Sequence, residues 1–558
     1  MTPSHDVGLA LLQTADAAFS KGKMAEAETA YRKALTLLMD RAQHIPKALA
    51  RGLIRWAICL KAGGDVEASA DALERAVVLA QAHRAFPHAA EAARLRAALA
   101  ELAGDSERFE QWSTRALTAY GEAGDAAGSA MMLMSLGRAR RLRAQYGDAL
   151  ELFEKALGIA DQAELSILSA DALAHLGNVY RVQGQLDKAA ALFERAMRIG
   201  EEEQNRGLVA RALTDLGNVA VARGKWDNAV ERYEHAAACY ASVGQSVAAA
   251  ATACNLAGIW MLRGELKRAL HRVTQSRQVL SADVAPNVVV DTMLLQAQIC
   301  AKSGSLAECD RVLSAIPARL AHDTYSVGER RLASFQASRK LLDGEVTRAR
   351  EMHADVVARM RGVSVVADEI SALLSAVAAD LAAEAYDAAD ARLKRAQALL
   401  ASRSKGRFGV LIGAGRASLD AQMASDPEQG AGAFERGARD LEDRGYRLEA
   451  LSLRLKAADL VLPSAAEWLN EGVRCQALGL ALTSQSFLCV IHTSSTERFE
   501  DLSSRARQAG LRRVEAAIER RRAALHAPHE LESLAHAATG RGDLWEARQC
   551  RRATLHPA

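Results

Sequence analysis

The segment LGNVYRVQGQLDKAAALFERAM, residues 176–197, decides the fold. The same pattern recurs without gaps as LGRARRLRAQYGDALELFEKAL (136–157), LGNVAVARGKWDNAVERYEHAA (216–237) and LAGIWMLRGELKRALHRVTQSR (256–277). The copies begin at positions 136, 176, 216 and 256, so they share a constant 40-residue period. Self-similarity at a fixed period of this length indicates a stack of similar units, because each unit contacts mainly its neighbours. A chain of 558 residues is also too long for one compact core.

Two positions in each unit can be followed far beyond these four copies. One is an anchor in the second half of the unit: Ala149, Ala189, Ala229, Ala269, Cys309, Ala349 and Ala389, and backwards Phe109, Ser69 and, after a two-residue slip, Ala27. Five positions before the anchor lies a turn position, which is glycine in eight of ten units: Gly22, Gly64, Gly104, Ala144, Gly184, Gly224, Gly264, Gly304, Gly344 and Glu384. Since glycine tolerates the positive φ that ends one helix and starts the next, the pattern predicts a helical hairpin in each unit.

Apolar residues recur at helical spacing inside a unit. Ala189, Phe193 and Ala196 are separated by four and then three positions, which places them on one face of a helix. Small residues such as Gly177 and Ala189 let two helix backbones approach, and Tyr180 and Phe193 fill the space between layers. One such pair cannot bury its apolar face alone, so stacking is required.

These residues resemble the tetratricopeptide repeat family. Its pattern has Leu-Gly late in the first helix, an aromatic residue three positions on, and then Ala, aromatic and Ala in the second helix. The matching structural positions are Gly137, Ala149, Phe153, Gly177, Tyr180, Ala189, Phe193, Gly217, Ala229, Tyr233 and Ala269. The unit is longer than the usual length of about 34 residues, and it is similar to the variant in kinesin light chains and Pins-type adaptors. The resemblance implies an all-α, right-handed superhelical solenoid of about 11 tandem antiparallel helix pairs.

The strength of the pattern divides the chain into four predicted regions. Residues 1–128 are N-terminal degenerate repeats, residues 129–280 match strongly, and residues 281–440 are divergent repeats. Residues 441–558 form a helical region that we interpret as degenerate or capping repeats, since terminal units need a polar outer face. The run Phe487–Thr493 in this last region looks like a strand.

Composition narrows the classes of function. The 71 basic and 68 acidic residues give a net charge of +3, which does not imply binding to nucleic acid or to a membrane surface. The eight cysteines include no CxxC pair and fit small buried apolar residues. We see no signal peptide and no apolar stretch of transmembrane length, so a cytoplasmic location is expected.

Candidate catalytic and ligand-binding motifs all have simpler interpretations. Val410–Gly415 looks like part of a dinucleotide fingerprint, but Ser418 replaces the third glycine and no βαβ unit surrounds it. Cys489 and His492 lack the positioned base and oxyanion site that a thiol nucleophile needs. No carboxylate or cysteine completes a metal set with His526, His529 and His536. The sequence therefore predicts no enzyme activity, no metal and no cofactor.

The basic segment Arg505–Arg522 holds seven Arg and two Glu. It either binds an acidic partner or nucleic acid, or it is a solvated helix face with Glu–Arg pairs one turn apart. We favour the solvated face, because no aromatic residues are interleaved for base stacking.

The resemblance also implies that the first helices of the pairs line a concave groove. The residue after the Leu-Gly glycine would point into it, which gives the ladder Arg138, Asn178, Asn218 and Gly258. One turn later lie Arg141, Arg181, Val221 and Met261, and one turn earlier lie Met134, Ala174, Thr214 and Cys254. In the family, Asn at this position often holds the backbone of a bound peptide. The predicted partner-binding residues are therefore Arg138, Arg141, Asn178, Arg181, Arg211 and Asn218.

The preferred function is a scaffold or adaptor that binds a peptide or helix of another protein, acidic in part, in this groove. The lysines that would capture a free C-terminus are missing. The alternative is a regulatory or sensor subunit that controls a kinase, a caspase-like protease or a transcription regulator in trans. A further alternative is an enzyme with its site within residues 440–558, but no catalytic constellation is visible there. Another is an RNA-binding helical repeat, but the inner positions lack the paired polar side chains that read bases. The oligomeric state is left open.

Overall fold

The computed structural model describes residues 3–39, 44–143, 145–280, 286–317, 326–360, 366–400, 406–461, 466–492 and 494–555. Every helix and strand assignment in these ranges is helical, which confirms the all-α class. Among the described residues, ten helix pairs lie between Pro3 and Leu400: Pro3–Ser20 with Met24–Leu38, Pro46–Ala62 with Val66–Ala82, Phe86–Leu102 with Ser106–Ala123, Ala126–Leu142 with Tyr146–Gln162, Ser166–Val182 with Leu186–Glu202, Arg206–Ala222 with Trp226–Ser242, Ser246–Leu262 with Leu266–Val279, Pro286–Ser303 with Leu306–Ala315, Ser326–Leu342 with Val346–Met360, and Val366–Ala382 with Tyr386–Leu400.

The remaining helices follow a different spacing. They are Gly406–Met423, Pro427–Glu442, Arg447–Ala458, Ala466–Arg474, Leu478–Ile491, Thr496–Gln508, Arg512–His526, Leu531–Gly540 and Leu544–Leu555, with a short 3₁₀ turn at Pro528–Glu530. We call the helices within residues 427–555 the C-terminal layer. Its alternate helices start at Arg447, Leu478, Arg512 and Leu544, a closer spacing than the period of the preceding pairs. None of the described helices is long and apolar enough to cross a membrane.

The chain divides into two compact units, Met1–Val179 and Tyr180–Ala558. The core of the first unit is built largely from alanine, with Tyr31, Leu53 and Trp112 among its larger members. The second unit holds the later helix pairs and the C-terminal layer, and its cores include residues from both. The region boundaries predicted at residues 128, 280 and 440 remain predictions.

The predicted turn glycines have the backbone conformation that the spacing requires. Gly22, Gly64, Gly104, Gly184, Gly224, Gly264, Gly304 and Gly344 all have φ between +71° and +89°. Glu384, the predicted non-glycine turn residue, has φ +52°, and Ala144 lies outside the described residues. Because only glycine enters this region without a Cβ penalty, the periodic glycines fix where each pair reverses direction.

The Leu-Gly motif marks the closest approach of the two helices in a pair. A Cβ atom added to Gly137 would lie 2.6 Å from Cε1 of Phe153, and one added to Gly217 would lie 2.6 Å from Cε1 of Tyr233. The anchor Ala229 is fully buried on the same second helix. The second-helix ring therefore packs directly on the first-helix backbone, and any side chain at the glycine would push the pair apart.

The C-terminal layer packs along the turns of the helix pairs in the second unit. Nε1 of Trp226 donates a 2.7 Å hydrogen bond to the carbonyl oxygen of Arg444. The backbone N–H of Lys267 donates to Oε1 of Gln476 at 2.8 Å. These bonds join residues 218 and 209 positions apart in sequence, so this seam is a long-range feature that the period does not predict.

Ion pairs and close contacts continue the seam toward the C-terminus. Nζ of Lys302 lies 3.1 Å from Oε1 of Glu449. Nε of Arg548 lies 2.7 Å from Oε1 of Glu384, the turn residue with positive φ. A Cβ added to Gly304 would lie 2.6 Å from Cδ2 of Leu478. The turns thus contact the C-terminal layer along much of its length, from Arg444 to Arg548.

Two interpretations of the C-terminal region are wrong. Phe487–Ile491 is the end of helix Leu478–Ile491 and not a strand, while Thr493 lies outside the described residues. The basic segment is not a wholly solvated face, because Arg520 and Arg521 are buried.

Asp459 is the acidic partner of these two buried arginines. Its Oδ1 accepts hydrogen bonds from Nη2 of Arg520 at 2.9 Å and from Nη2 of Arg521 at 2.5 Å. Nε of Arg520 also donates to Oε1 of Glu546 at 2.7 Å. Burial alone would raise the pKa of Asp459, but the two guanidinium groups hold it below its ordinary value. The paired charges join helices from three parts of the C-terminal layer, and removing one partner would leave a buried charge uncompensated.

Two alanine substitutions at positive-φ glycines measure two separate losses in the free energy of unfolding. One loss comes from the strained turn conformation, and the other comes from the contact with the C-terminal layer. Gly244 has φ +73° and nothing within 4 Å of an added Cβ, so Gly244→Ala carries only the conformational cost of about 1 kcal/mol. Gly304→Ala adds the clash with Leu478, and we expect a loss of about 3 kcal/mol. Urea denaturation followed by circular dichroism measures both. Equal losses would contradict the contact between this turn and Leu478.

A candidate partner groove on the first helices

A groove with a cavity volume of about 640 Å³ lies on the first helices of successive pairs in the second unit. Its floor contains Asn218, Gly258, Gln298 and Ser338, which follow one another at the 40-residue period. Val221, Met261 and Cys254, which belong to the other two predicted ladders, also line it. The 40-residue repeat therefore places one residue of each of these pairs in the lining of a common groove.

Three carboxamide side chains line this groove: Asn218, Asn255 and Gln298. Oδ1 of Asn218 accepts a 2.7 Å hydrogen bond from the hydroxyl of Tyr233, which orients the amide and leaves its N–H groups available. Asn255 is exposed, and Gln298 is half-buried. A carboxamide both donates and accepts, so a row of them matches the alternating C=O and N–H groups of an extended peptide backbone.

The charged residues that line the groove are Asp291, Arg331 and Asp368. Nη1 of Arg331 lies 2.9 Å from Oδ1 of Asp291, and its Nε lies 3.0 Å from Oδ1 of Asp368. Asp291 and Arg331 occupy equivalent positions in consecutive units, so the pairing runs from one repeat to the next. Two carboxylates around one guanidinium leave this end of the groove acidic.

Hydroxyl and thiol groups link neighbouring first helices along the groove. Oγ1 of Thr214 lies 3.3 Å from Oγ1 of Thr252, and Sγ of Cys254 lies 3.3 Å from Oγ1 of Thr292. Burial raises the pKa of Cys254, which disfavours the thiolate. This cysteine therefore contributes packing and a hydrogen bond rather than a nucleophile.

The predicted arginines Arg181 and Arg211 belong to the second unit with Asn218. Burial is the main cause that raises the pKa of Tyr233 and of Tyr240. The positive charge of Arg181 lowers the pKa of Tyr233 and that of Arg211 lowers the pKa of Tyr240, so each guanidinium interacts electrostatically with one buried tyrosine. Both arginines thus have roles within the fold besides any contact with a partner.

Arg138, Arg141 and Asn178 belong to the first unit. Nη2 of Arg138 donates to Oγ of Ser135 at 3.4 Å. Nδ2 of Asn178 donates to the carbonyl oxygen of Ala174 at 3.0 Å, one turn earlier in the same helix. Arg141 lies in the last turn of helix Ala126–Leu142. Their contact with a partner remains a prediction.

Sequence reasoning missed Asn255, Gln298, Arg331 and Asp368 as groove residues. A signal for Gln298 was present, since it lies one period after Gly258 on a ladder already identified. Gln298 was not predicted because the repeat motif is weak after residue 280. The positive-φ turn residues nevertheless show that the 40-residue period continues to residue 384.

The other candidate motifs are accounted for by the helical structure. Val410–Gly415 lies inside helix Gly406–Met423, so it forms no strand–turn–helix loop. Cys489 is buried, and His492 is exposed just after the same helix. His526 and His536 hydrogen-bond to the carbonyl oxygens of Ser494 and Glu532, at 2.8 and 3.0 Å. Within the described part of the chain, no cluster of His, Cys, Asp and Glu could hold a metal.

His353 lies under the groove floor. It occupies the second-helix position that Phe153, Phe193 and Tyr233 fill in other pairs, and it is fully buried. Its Nε2 lies 3.4 Å from Oγ of Ser338, a floor residue. Burial, together with the positive charge of Arg392, lowers the pKa of His353 to about 4. The imidazole is therefore neutral at pH 7.

The fold defines a tandem helix-pair repeat protein. Two family profiles, both described as tetratricopeptide repeat, match residues 168–242 and 10–37. Tetratricopeptide repeats are therefore present in these two segments, and the longer match includes two of the four best-fitting units. No curated protein sequence matches the chain.

Among solved structures, the apo form of RapI has 17% sequence identity and a TM-score of 0.39, and the match covers 49% of this chain and 97% of that one. The apo quorum sensor NprR from B. thuringiensis has 12% identity and a TM-score of 0.41, covering 64% of this chain and 99% of its own. A Rap protein complexed with competence and sporulation factor has 13% identity and a TM-score of 0.43, and the match covers 71% of this chain and 100% of that one. At these values the likeness carries no argument about the function of this chain.

Lowering the pH should destabilise the second unit through His353. The folded-state pKa of about 4 lies below the unfolded value of about 6.5. The neutral form is favoured by folding, so the contribution of this residue is fully present above pH 6.5 and is lost as the pH falls toward 4. At pH 5 the loss is about 2 kcal/mol relative to pH 7.

His353→Leu is the matched variant, because Leu393 occupies the same position in the next pair. Urea denaturation at pH 7 and pH 5 gives the free energy of unfolding of wild type and of His353→Leu. Between pH 7 and pH 5, wild type should lose about 2 kcal/mol more than the variant. A difference that does not change with pH would show that the imidazole is not buried as a neutral group.

Proposed function

We propose that this protein is a scaffold or adaptor that binds an extended segment of a partner protein in the groove of the second unit. The row of carboxamides at Asn218, Asn255 and Gln298 carries the proposal. Side chains that both donate and accept hydrogen bonds, repeated along a groove, recognise a backbone without requiring one sequence. The same binding serves a passive scaffold and a subunit that regulates an effector in trans.

The charges of the groove suggest how a bound segment is oriented. Asp291 and Asp368 outnumber the one guanidinium of Arg331 at one end. Arg181 and Arg211 belong to the opposite end of the same series of pairs. We infer that an acidic part of the segment lies toward these two arginines and that a basic or neutral part lies toward Asp291. Arg138, Arg141 and Asn178 remain predicted contacts in the first unit.

The 40-residue unit supports the proposal that these are tetratricopeptide repeats of the longer variant. Glycine turns with positive φ recur at this spacing from residue 64 to residue 344, with the exception of residue 144, which is not described. This is the longer repeat that the resemblance to kinesin light chains and Pins-type adaptors implies. A cytoplasmic location and the lack of catalytic activity remain predictions from the sequence.

A peptide-display selection on the full-length chain tests the proposal, with fluorescence anisotropy of a selected peptide as the readout. The groove variant is Asn218→Ala/Asn255→Ala/Gln298→Ala. The control removes three exposed carboxamides from second helices of the same unit: Asn228→Ala/Gln275→Ala/Gln278→Ala.

Each backbone hydrogen bond contributes about 0.5–1.5 kcal/mol, so the groove variant should bind at least about tenfold more weakly. The control variant should bind as wild type does. Equal affinity of the groove variant and wild type, or an equal loss in both variants, would contradict binding by the carboxamide row.

A further inference from the structure

A second pocket lies inside the second unit, between the ends of the first helices and the C-terminal layer. Its volume is about 500 Å³, a size typical of small-molecule sites. Most of its lining is apolar, including Leu374, Val377, Leu381, Leu411, Leu480 and Val514. The pocket shares no lining residue with the partner groove.

The polar groups of this pocket are few. The hydroxyls of Ser418 and Thr483 donate to carbonyl oxygens one turn earlier in their own helices, those of Ala414 and Gly479, at 2.9 and 2.8 Å. Lys302 pairs with Oε1 of Glu449, as described for the seam. Ser452 also lines the pocket, and Oε2 of Glu449 is buried without a hydrogen-bond partner among the residues that the structure describes. The charged residue of the described lining that forms no ion pair is Lys456, which lies two turns after Glu449 on the same helix.

Lys456 has no counter-ion in the described part of the chain. Its neighbour Asp459 is held by Arg520 and Arg521, and Arg513 is paired with Asp543, whose Oδ2 lies 2.6 Å from Nε. Burial, assisted by Arg513 and opposed by Asp459, lowers the pKa of Lys456 to about 8. The ammonium group is therefore still charged at pH 7, in surroundings that favour an anion.

We propose that this pocket binds a small apolar carboxylate, whose hydrocarbon part lies among the leucine and valine side chains and whose carboxylate pairs with Lys456. An apolar lining that includes one cation without an ion pair among the described residues, Lys456, is complementary to a single negative charge on an apolar body. A phosphate is less suited, because the pocket lining offers no arginine fork for its oxygens. Binding would join the repeat pairs to the C-terminal layer, since both line the pocket.

Isothermal titration calorimetry of the full chain with decanoate tests the proposal, and decanol serves as the neutral probe of the same chain length. Lys456→Met removes the charge and keeps an unbranched side chain. The matched control is Lys225→Met, because Lys225 is exposed in the same unit and lies outside the pocket. Decanoate should bind wild type and Lys225→Met equally, and Lys456→Met at least about tenfold more weakly. Decanol should bind all three with similar, weaker affinity.

Ala378→Phe is a second variant that does not alter any charge. Ala378 lines the pocket and is exposed, so a phenyl ring there would occupy the pocket volume without entering the core. It should abolish decanoate binding while circular dichroism and the thermal midpoint of the free protein stay those of wild type. No heat of binding to wild type, equal affinity for decanoate and decanol, or undiminished binding by folded Ala378→Phe would overturn the proposal.

Discussion

The packing of an aromatic ring on the backbone of the facing helix is the interaction on which the rest of the second unit depends. Tyr233 lies against Gly217 so closely that no Cβ could be added. The ring fixes the separation of the two helices, and the positive-φ glycine at the turn fixes where they reverse. The positive-φ turn recurs in successive units, and the ring position is filled by other buried side chains, Val273, Leu313 and Leu393, so neighbouring first helices present equivalent faces. A groove and a line of turns follow directly from that repetition.

The two surfaces of the second unit use different parts of the repeated pair. The faces of the first helices line the partner groove, so one position per repeat contributes to a continuous row. The turns form the seam with the C-terminal layer, through Trp226, Lys267 and Glu384. The layer has a shorter period than the pairs it covers, so equivalent turns meet different residues. The contacts accordingly include hydrogen bonds, ion pairs and apolar packing.

The sequence predicted the features that are local and periodic. Helix pairs, turn glycines and the buried alanine anchors follow from spacing alone, since they depend on residues within one unit. The predicted ladder included Asn218 and Gly258, which line the groove, but it ended before Gln298. Long-range features were not predictable in this way. A search for ion pairs one helical turn apart predicted that Arg520 is solvated. Its partner Asp459 lies 61 positions away, just after another helix. The strand-like run at Phe487 became helix because packing in the C-terminal layer overrides the weak β-propensity of a short apolar segment.

The central claim is that the C-terminal layer packs on the repeat turns. Zero-length crosslinking with a carbodiimide, followed by mass spectrometry, tests it most directly. Lys302 and Glu449 are 3.1 Å apart across the seam, and Lys340 and Glu345 are 2.8 Å apart within one turn with similar exposure. The structure predicts amide bonds in both pairs. A bond between Lys340 and Glu345 without one between Lys302 and Glu449 would contradict the packing of the layer on the turns.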